Sequence, residues 1–256
     1  MGKHYKTKSK GDIVLSILRM IFFITAGISI INIAKWYIDS KQNDIIEEKV
    51  SKVILVENVA NDDNENNNEA ETSYKIDFAK LKELNSQTVA WLKVNGTDIE
   101  YAVVQSNDNS YYLKHNFEKK YNNAGWIFAD YKNKLDGTDK NIVIYGHNRK
   151  NNSMFGTLKN VLKENWYNNE ENHIIDFITE NEEQKYEVFS VYQIKNEEYY
   201  KDTEFKDNEF GKFVATLKDR SIKDFNVEVS AEDSILTLST CGNNKDYRIV
   251  LHAKKI

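Results

Sequence analysis

The C-terminal stretch SILTLSTCGNNKDYRIVLHAKKI, Ser234 to Ile256, contains the chain's single cysteine, Cys241, and an arginine, Arg248, seven positions later. Alternation in ILTLSTC places Ile235, Thr237, Ser239 and Cys241 on one face of a strand and Leu236, Leu238 and Thr240 on the other. GNNKD then turns the chain, and RIVLHA resumes the alternation. Two strands joined by so short a loop are antiparallel neighbours, which sets Arg248 beside Cys241. A guanidinium there would lower the pKa of a thiol and offer donors to a developing oxyanion. The same thiol could equally be an inert core residue.

Working outward, the pattern of closely spaced strands continues upstream. VAWLKV and IEYAVVQ flank the hairpin signal NGTD, followed by AGWIFADY, KNIVIYGH, HIIDFITE and QKYEVFSVYQI. IDFAKLKELN predicts a helix over 76–85, with Ile76, Ala79 and Leu84 on its apolar face. DNEFGKFVATLKDRS predicts a second helix, with Phe210, Phe213, Val214 and Leu217 at helical spacing, inside the long connection before the cysteine strand. These elements describe a mainly β domain, an antiparallel barrel or sandwich.

The N-terminus is of another kind. Lys3, Lys6, Lys8 and Lys10 precede an apolar run from Ile13 to Ala34 broken only by Arg19. At about 1.5 Å per residue the run spans a hydrocarbon layer of roughly 30 Å. The basic flank orients the N-terminus to the cytoplasm, and Trp36 and Tyr37 suit the outer interface. A cleaved signal peptide would have a shorter apolar region and a small-residue cleavage site, which IAKWYID is not. NDDNENNNEAE has five carboxylates and almost nothing to bury. The expected organisation is a cytoplasmic tail (1–12), a transmembrane signal anchor (13–37), a stalk and disordered acidic linker (38–72) and an extracellular catalytic domain (73–256). The net charge of −5 argues against a nucleic-acid partner. One cysteine permits neither an intrachain disulfide nor a multi-cysteine zinc site.

Among five histidines, His147 stands out because it ends the apolar strand KNIVIYGH where a polar loop begins. His252, alternating with Arg248 and Val250 on the last strand, reads as structural.

TLSTC with a following Arg, preceded by YGH about ninety residues earlier, resembles the sortase transpeptidases of Gram-positive bacteria. VAWLKVNGTDIEYAVVQSNDNSYYL and AGWIFADYKN are similar to class B members. So is the helix in the long connection, and the resemblance runs from about residue 76 to the C-terminus. Ala102, where class B usually has Pro, and Gly242, where a polar or acidic residue is frequent, depart from the pattern. The resemblance implies a closed, antiparallel-rich β-barrel that needs no cofactor or metal. It implies Cys241 as nucleophile, His147 as general acid and base, and Arg248 as oxyanion or backbone ligand. The partners it implies are a sorting-signal peptide, NPxTx-like and cleaved after Thr, and an amine of a peptidoglycan precursor. Asn109, Leu113, Ser239 and Thr240 would line the substrate groove, with Tyr199 and Tyr200 covering it. A papain-like peptidase is opposed by the order His before Cys, and an L,D-transpeptidase by the absence of an HGC-like stretch. A non-enzymatic, membrane-anchored wall- or protein-binding β-domain is the alternative.

Overall fold

A computed structural model describes residues 10–58, 72–195, 197–206, 208–241 and 246–256, without the side chains of 55–58, 72–74 and 241. The tail up to residue 9 and the acidic linker from 59 to 71 lie outside the described residues, as does Gly242. The chain divides into two compact units, Met1–Gln42 and Asn43–Ile256. Helix α1, Lys10–Ser51, begins in the first and ends in the second. Its apolar part exposes Ile13, Leu18, Phe22, Phe23 and Ile30. By length and composition this helix could cross a membrane.

The second unit begins earlier than the sequence suggested. Residues from 43 onward, expected to form a stalk, place Ile46, Val50 and Val53 in the core. Spacings of four and three set these three on one helical face, and that face is buried. Strands β1, Ile54–Asn58, and β2, Thr72–Ile76, then pair antiparallel.

Helix α2, Phe78–Leu84, is capped by Asp77, whose carboxylate accepts from the amide of Lys80 at 3.0 Å. It buries Phe78 and Leu81, whereas Ala79, expected on the apolar face, is exposed. The barrel follows: β3, Thr88–Val94; β4, Glu100–Val104; β5, Phe128–Ala129; and β6, Asn141–Gly146. After the short helix α3, Glu164–Tyr167, come β7, Ile174–Thr179, and β8, Glu183–Lys195. Helix α4, Glu209–Asp219, buries Phe210, Val214 and Leu217 as its periodicity predicts. Strands β9, Ile235–Cys241, and β10, Tyr247–Lys255, complete the fold.

The strand order β10-β8-β7-β3-β4-β5-β6-β9 closes on itself, since β9 also pairs with β10. The NGTD hairpin joins β3 and β4 as expected. Two junctions are parallel, β4 with β5 and β6 with β9. Parallel neighbours require a crossover rather than a tight turn, and α4 lies in the crossover from β6 to β9. AGWIFADY yields only the two-residue β5, because Trp126 instead sends its indole N–H to the Ala102 carbonyl at 2.8 Å. Trp91, Trp126, Phe117, Phe155, Phe177 and Phe189 are among the largest side chains in the core.

Candidate active site

The closing strands of the barrel set three chain positions together. Arg248 lies directly opposite Cys241 in the antiparallel β9–β10 pair. Such partners have Cα atoms about 4.5–5.5 Å apart. On the other side of β9, the parallel register places Gly146 beside Thr240. His147, the next residue, therefore leaves β6 at the level of Cys241. The apolar run NIVIYG drives this placement, because five of its six residues are buried. The thiol itself lies outside the described side chains, so the convergence stands on backbone register.

His147 is held on several sides. Its Nε2 is 2.8 Å from the carbonyl oxygen of Leu113. A carbonyl can only accept, so Nε2 carries the hydrogen and Nδ1 is the ring nitrogen left for chemistry. Burial lowers the imidazole's pKa below its ordinary 6.5; the Leu113 carbonyl opposes that shift and Arg149 adds to it. Gly125, at φ +63°, underlies the ring: a Cβ there would sit 2.9 Å from the imidazole Cδ2 and 2.5 Å from the Tyr112 carbonyl oxygen. The Gly125 carbonyl in turn accepts from Asn43 Nδ2 at 3.0 Å. Beyond the histidine, Phe155 N–H donates to the His147 carbonyl at 3.0 Å.

A cavity of about 560 Å³ opens between these elements. His147 and Arg248 line it, together with Tyr145 and Gly146 from β6 and Ser239 and Thr240 from β9. The loop after β4 contributes Asn109 and Leu113, and the end of β5 contributes Phe128, Asp130, Tyr131 and Lys132. The connection after β8 contributes Glu198, Lys201 and Asp202. This volume and its mixed lining suit a short extended peptide.

Six positions singled out in the sequence meet here: His147, Arg248, Asn109, Leu113, Ser239 and Thr240. Asn109 is tied down, donating to Asp130 Oδ2 at 2.8 Å and accepting from the Tyr131 amide at 3.0 Å. The same carboxylate oxygen accepts from the Tyr145 hydroxyl at 2.8 Å. Burial, then the neighbouring charge of Asp130, pushes the Tyr145 phenol well above its ordinary range. The Thr240 hydroxyl is buried without a hydrogen-bond partner, which leaves it open to a ligand.

Tyr199 and Tyr200 do not cover the cavity. Both sit in a 3-10 turn, Tyr199–Lys201, that rotates Tyr200 fully into the core, with its hydroxyl 2.9 Å from Ser239 Oγ. The turn presents Glu198, Lys201 and Asp202 to the cavity instead. Sequence reading missed these three, as well as Asp130 and Tyr145. Tyr145 was legible, since alternation places it on the same side of the strand as His147. Asp130 gave no local signal, because its partners lie 15 and 21 residues away.

An eight-stranded closed barrel carrying a cysteine, a histidine and an arginine at adjoining strand ends defines a class of cysteine-based acyl-transfer enzyme. The sortase domain family matches residues 92–256, and the chain belongs to that family. Sortase B of Listeria monocytogenes is 39% identical over 180 residues, which cover 69% of this chain and 72% of that protein. The crystal structure of Clostridium perfringens sortase B superposes with a TM-score of 0.66 at 36% identity, covering 70% of this chain and 99% of that one. Staphylococcus aureus sortase B, solved with its substrate, gives a TM-score of 0.65 at 34% identity, over 70% of this chain and 84% of that one. The same relative has been solved with triglycine. The protein is a sortase B-type cysteine transpeptidase.

Proposed function

We propose that this sortase is membrane-anchored through residues 13–37, N-terminus inside. It cleaves an NPxTx-like sorting signal after Thr and joins the protein to a cell-wall amine. The observation that carries the reading is the register that sets Arg248 opposite Cys241, with His147 one step beyond the parallel partner of Thr240, at the head of a peptide-sized groove. The substrate and triglycine complexes of sortase B relatives support a peptide donor and an amine acceptor.

In the first step the Cys241 sulfur attacks the threonyl carbonyl carbon and forms a C–S bond. The scissile C–N bond breaks as His147 gives a proton to the departing amine. Nδ1 is the atom for that transfer, because Leu113 holds Nε2–H. The Arg248 guanidinium stabilises the oxyanion of each tetrahedral intermediate. In the second step the acceptor nitrogen attacks the thioester carbonyl, His147 takes its proton, and the C–S bond breaks. One amide replaces another, so the exchange requires no outside energy source.

The test is incubation of the full chain with sorting-signal peptides, followed by mass spectrometry. A thioester adduct on Cys241 is expected with an NPxTx-like peptide, absent in Cys241→Ala. Arg248→Ala should slow its formation on the order of 100-fold, the loss typical of one oxyanion donor. No adduct with any peptide overturns the reading.

A further inference from the structure

Behind the groove lies a chain of buried polar groups that the transfer chemistry does not use. His252 on β10 is 0% exposed and faces Thr237 across the β9–β10 pair, at the point where the pairing of β10 with β8 shifts by a bulge. Its Nδ1 is 2.9 Å from Thr237 Oγ1, and its Nε2 is 2.8 Å from the Tyr192 hydroxyl. The Thr237 hydroxyl is 2.6 Å from Asn141 Oδ1, and the Tyr192 hydroxyl is 3.3 Å from that of Tyr199.

Each hydroxyl has one hydrogen, and this fixes the direction of every link. Asn141 Oδ1 can only accept, so Thr237 donates to it. Thr237 must then accept from His252 Nδ1–H, leaving Nε2 bare to accept from Tyr192. Tyr192, its hydrogen spent, accepts from Tyr199. At the far end Asn141 Nδ2 donates to two carbonyls, those of Tyr200 at 3.3 Å and Asp202 at 2.9 Å. The relay thus begins on the hydroxyl of Tyr199 and returns to the backbone of Tyr200 and Asp202. It grips one short segment from both sides, and that segment presents Glu198, Lys201 and Asp202 to the groove. Full burial favours the neutral imidazole that this pattern requires. The Tyr200 hydroxyl, bonded to Ser239 Oγ, ties the same segment to the groove-lining end of β9.

We propose that His252, as the neutral Nδ1–H tautomer, is a positioning residue for substrate recognition: its relay holds the Glu198–Asp202 segment as a fixed wall of the peptide groove. This rests on the reading of the groove as the sorting-signal site. His252 touches no substrate and acts through Thr237, Asn141, Tyr192 and Tyr199. Satisfied buried networks of this type rigidify what they connect, and a broken link leaves a buried group unpaired.

Thr237→Val removes the central hydroxyl at constant shape. In the full chain, amide hydrogen exchange at residues 199–202 should quicken by about tenfold, the equilibrium equivalent of one buried hydrogen bond. Exchange in the barrel strands should be unchanged. With the sorting peptide, KM should rise by a similar factor while kcat holds. Nitrogen-15 spectra of the wild-type chain should show His252 protonated at Nδ1 and bare at Nε2. Should Thr237→Val not fold, Tyr199→Phe, which removes a hydroxyl from a half-buried ring, gives the same reading of exchange. Wild-type exchange at 199–202 in a folded variant, an Nε2–H tautomer, or a fall in kcat at constant KM overturns the proposal. The exchange and tautomer measurements need no substrate, so they stand even if the wild-type chain forms no adduct with any peptide.

Discussion

Gly125 is where one atom decides the geometry of the site. Its φ of +63° lies in the left-handed region, which costs a residue with a Cβ roughly 1–2 kcal/mol. An alanine methyl would also have to share space with the Tyr112 carbonyl and the imidazole of His147. The backbone carbonyl is fixed by Asn43, so the ring is the softer partner and would move. Gly125→Ala should therefore lower kcat/KM on the order of 100-fold, the effect of a misplaced reacting group. The fold should remain, as far-ultraviolet circular dichroism would show. The NMR titration midpoint of His147, expected below 6.5 in the wild type because of burial, should rise as the ring is released toward solvent.

At the scale of elements, the end of α1 is the least anticipated part of the catalytic unit. Asn43 and Glu47 lie one turn apart on it. Asn43 reaches Gly125, while Glu47 bonds the Tyr101 hydroxyl, which accepts from the Met154 amide at 2.9 Å in the loop after His147. Glu47 is raised to about 7, first by burial and then by Asp44, with the Tyr101 bond opposing. The sign follows from linkage: the folded state holds this proton more tightly than the unfolded chain, where the value is 4.5. Stability from this group is therefore full below pH 4.5 and is lost as pH rises through about 7. Glu47→Gln keeps a partner for Tyr101 without the charge, so its melting temperature should exceed the wild type's by a few degrees at pH 8. The gap should narrow toward pH 5, as scanning calorimetry at the two pH values would show.

Sequence reading assigns this segment to a stalk because charged residues interrupt it, SKQNDIIEEKV. Only the packed barrel shows that one face is buried and the charges occupy the other. The strand signals fared better. Alternation located β3, β4 and β6 to β10, and the cysteine–arginine partnership followed from a short loop alone. What alternation cannot carry is the pairing of strands distant in sequence. The β6–β9 junction that delivers His147 is parallel and spans the entire α4 crossover. The turn that buries Tyr200 depends on Ser239, 39 residues away.

For the whole molecule, an apolar helix with exposed isoleucines and phenylalanines precedes the catalytic unit. The proposed anchor requires the full chain to remain with membranes through alkaline carbonate washing. Protease added outside intact cells should remove the 43–256 unit and leave the anchor. Release by carbonate, or full protection from protease, contradicts that topology.

The closing strand pair also carries a consequence for how the working centre comes into being. Strand β6 and strand β9 touch only after everything between them has been wound into place. A half-made chain therefore holds a bare thiol with neither its imidazole nor its guanidinium nearby. Maturation and chemical competence arrive together, so a polypeptide still threading outward cannot acylate itself or its neighbours before the barrel shuts.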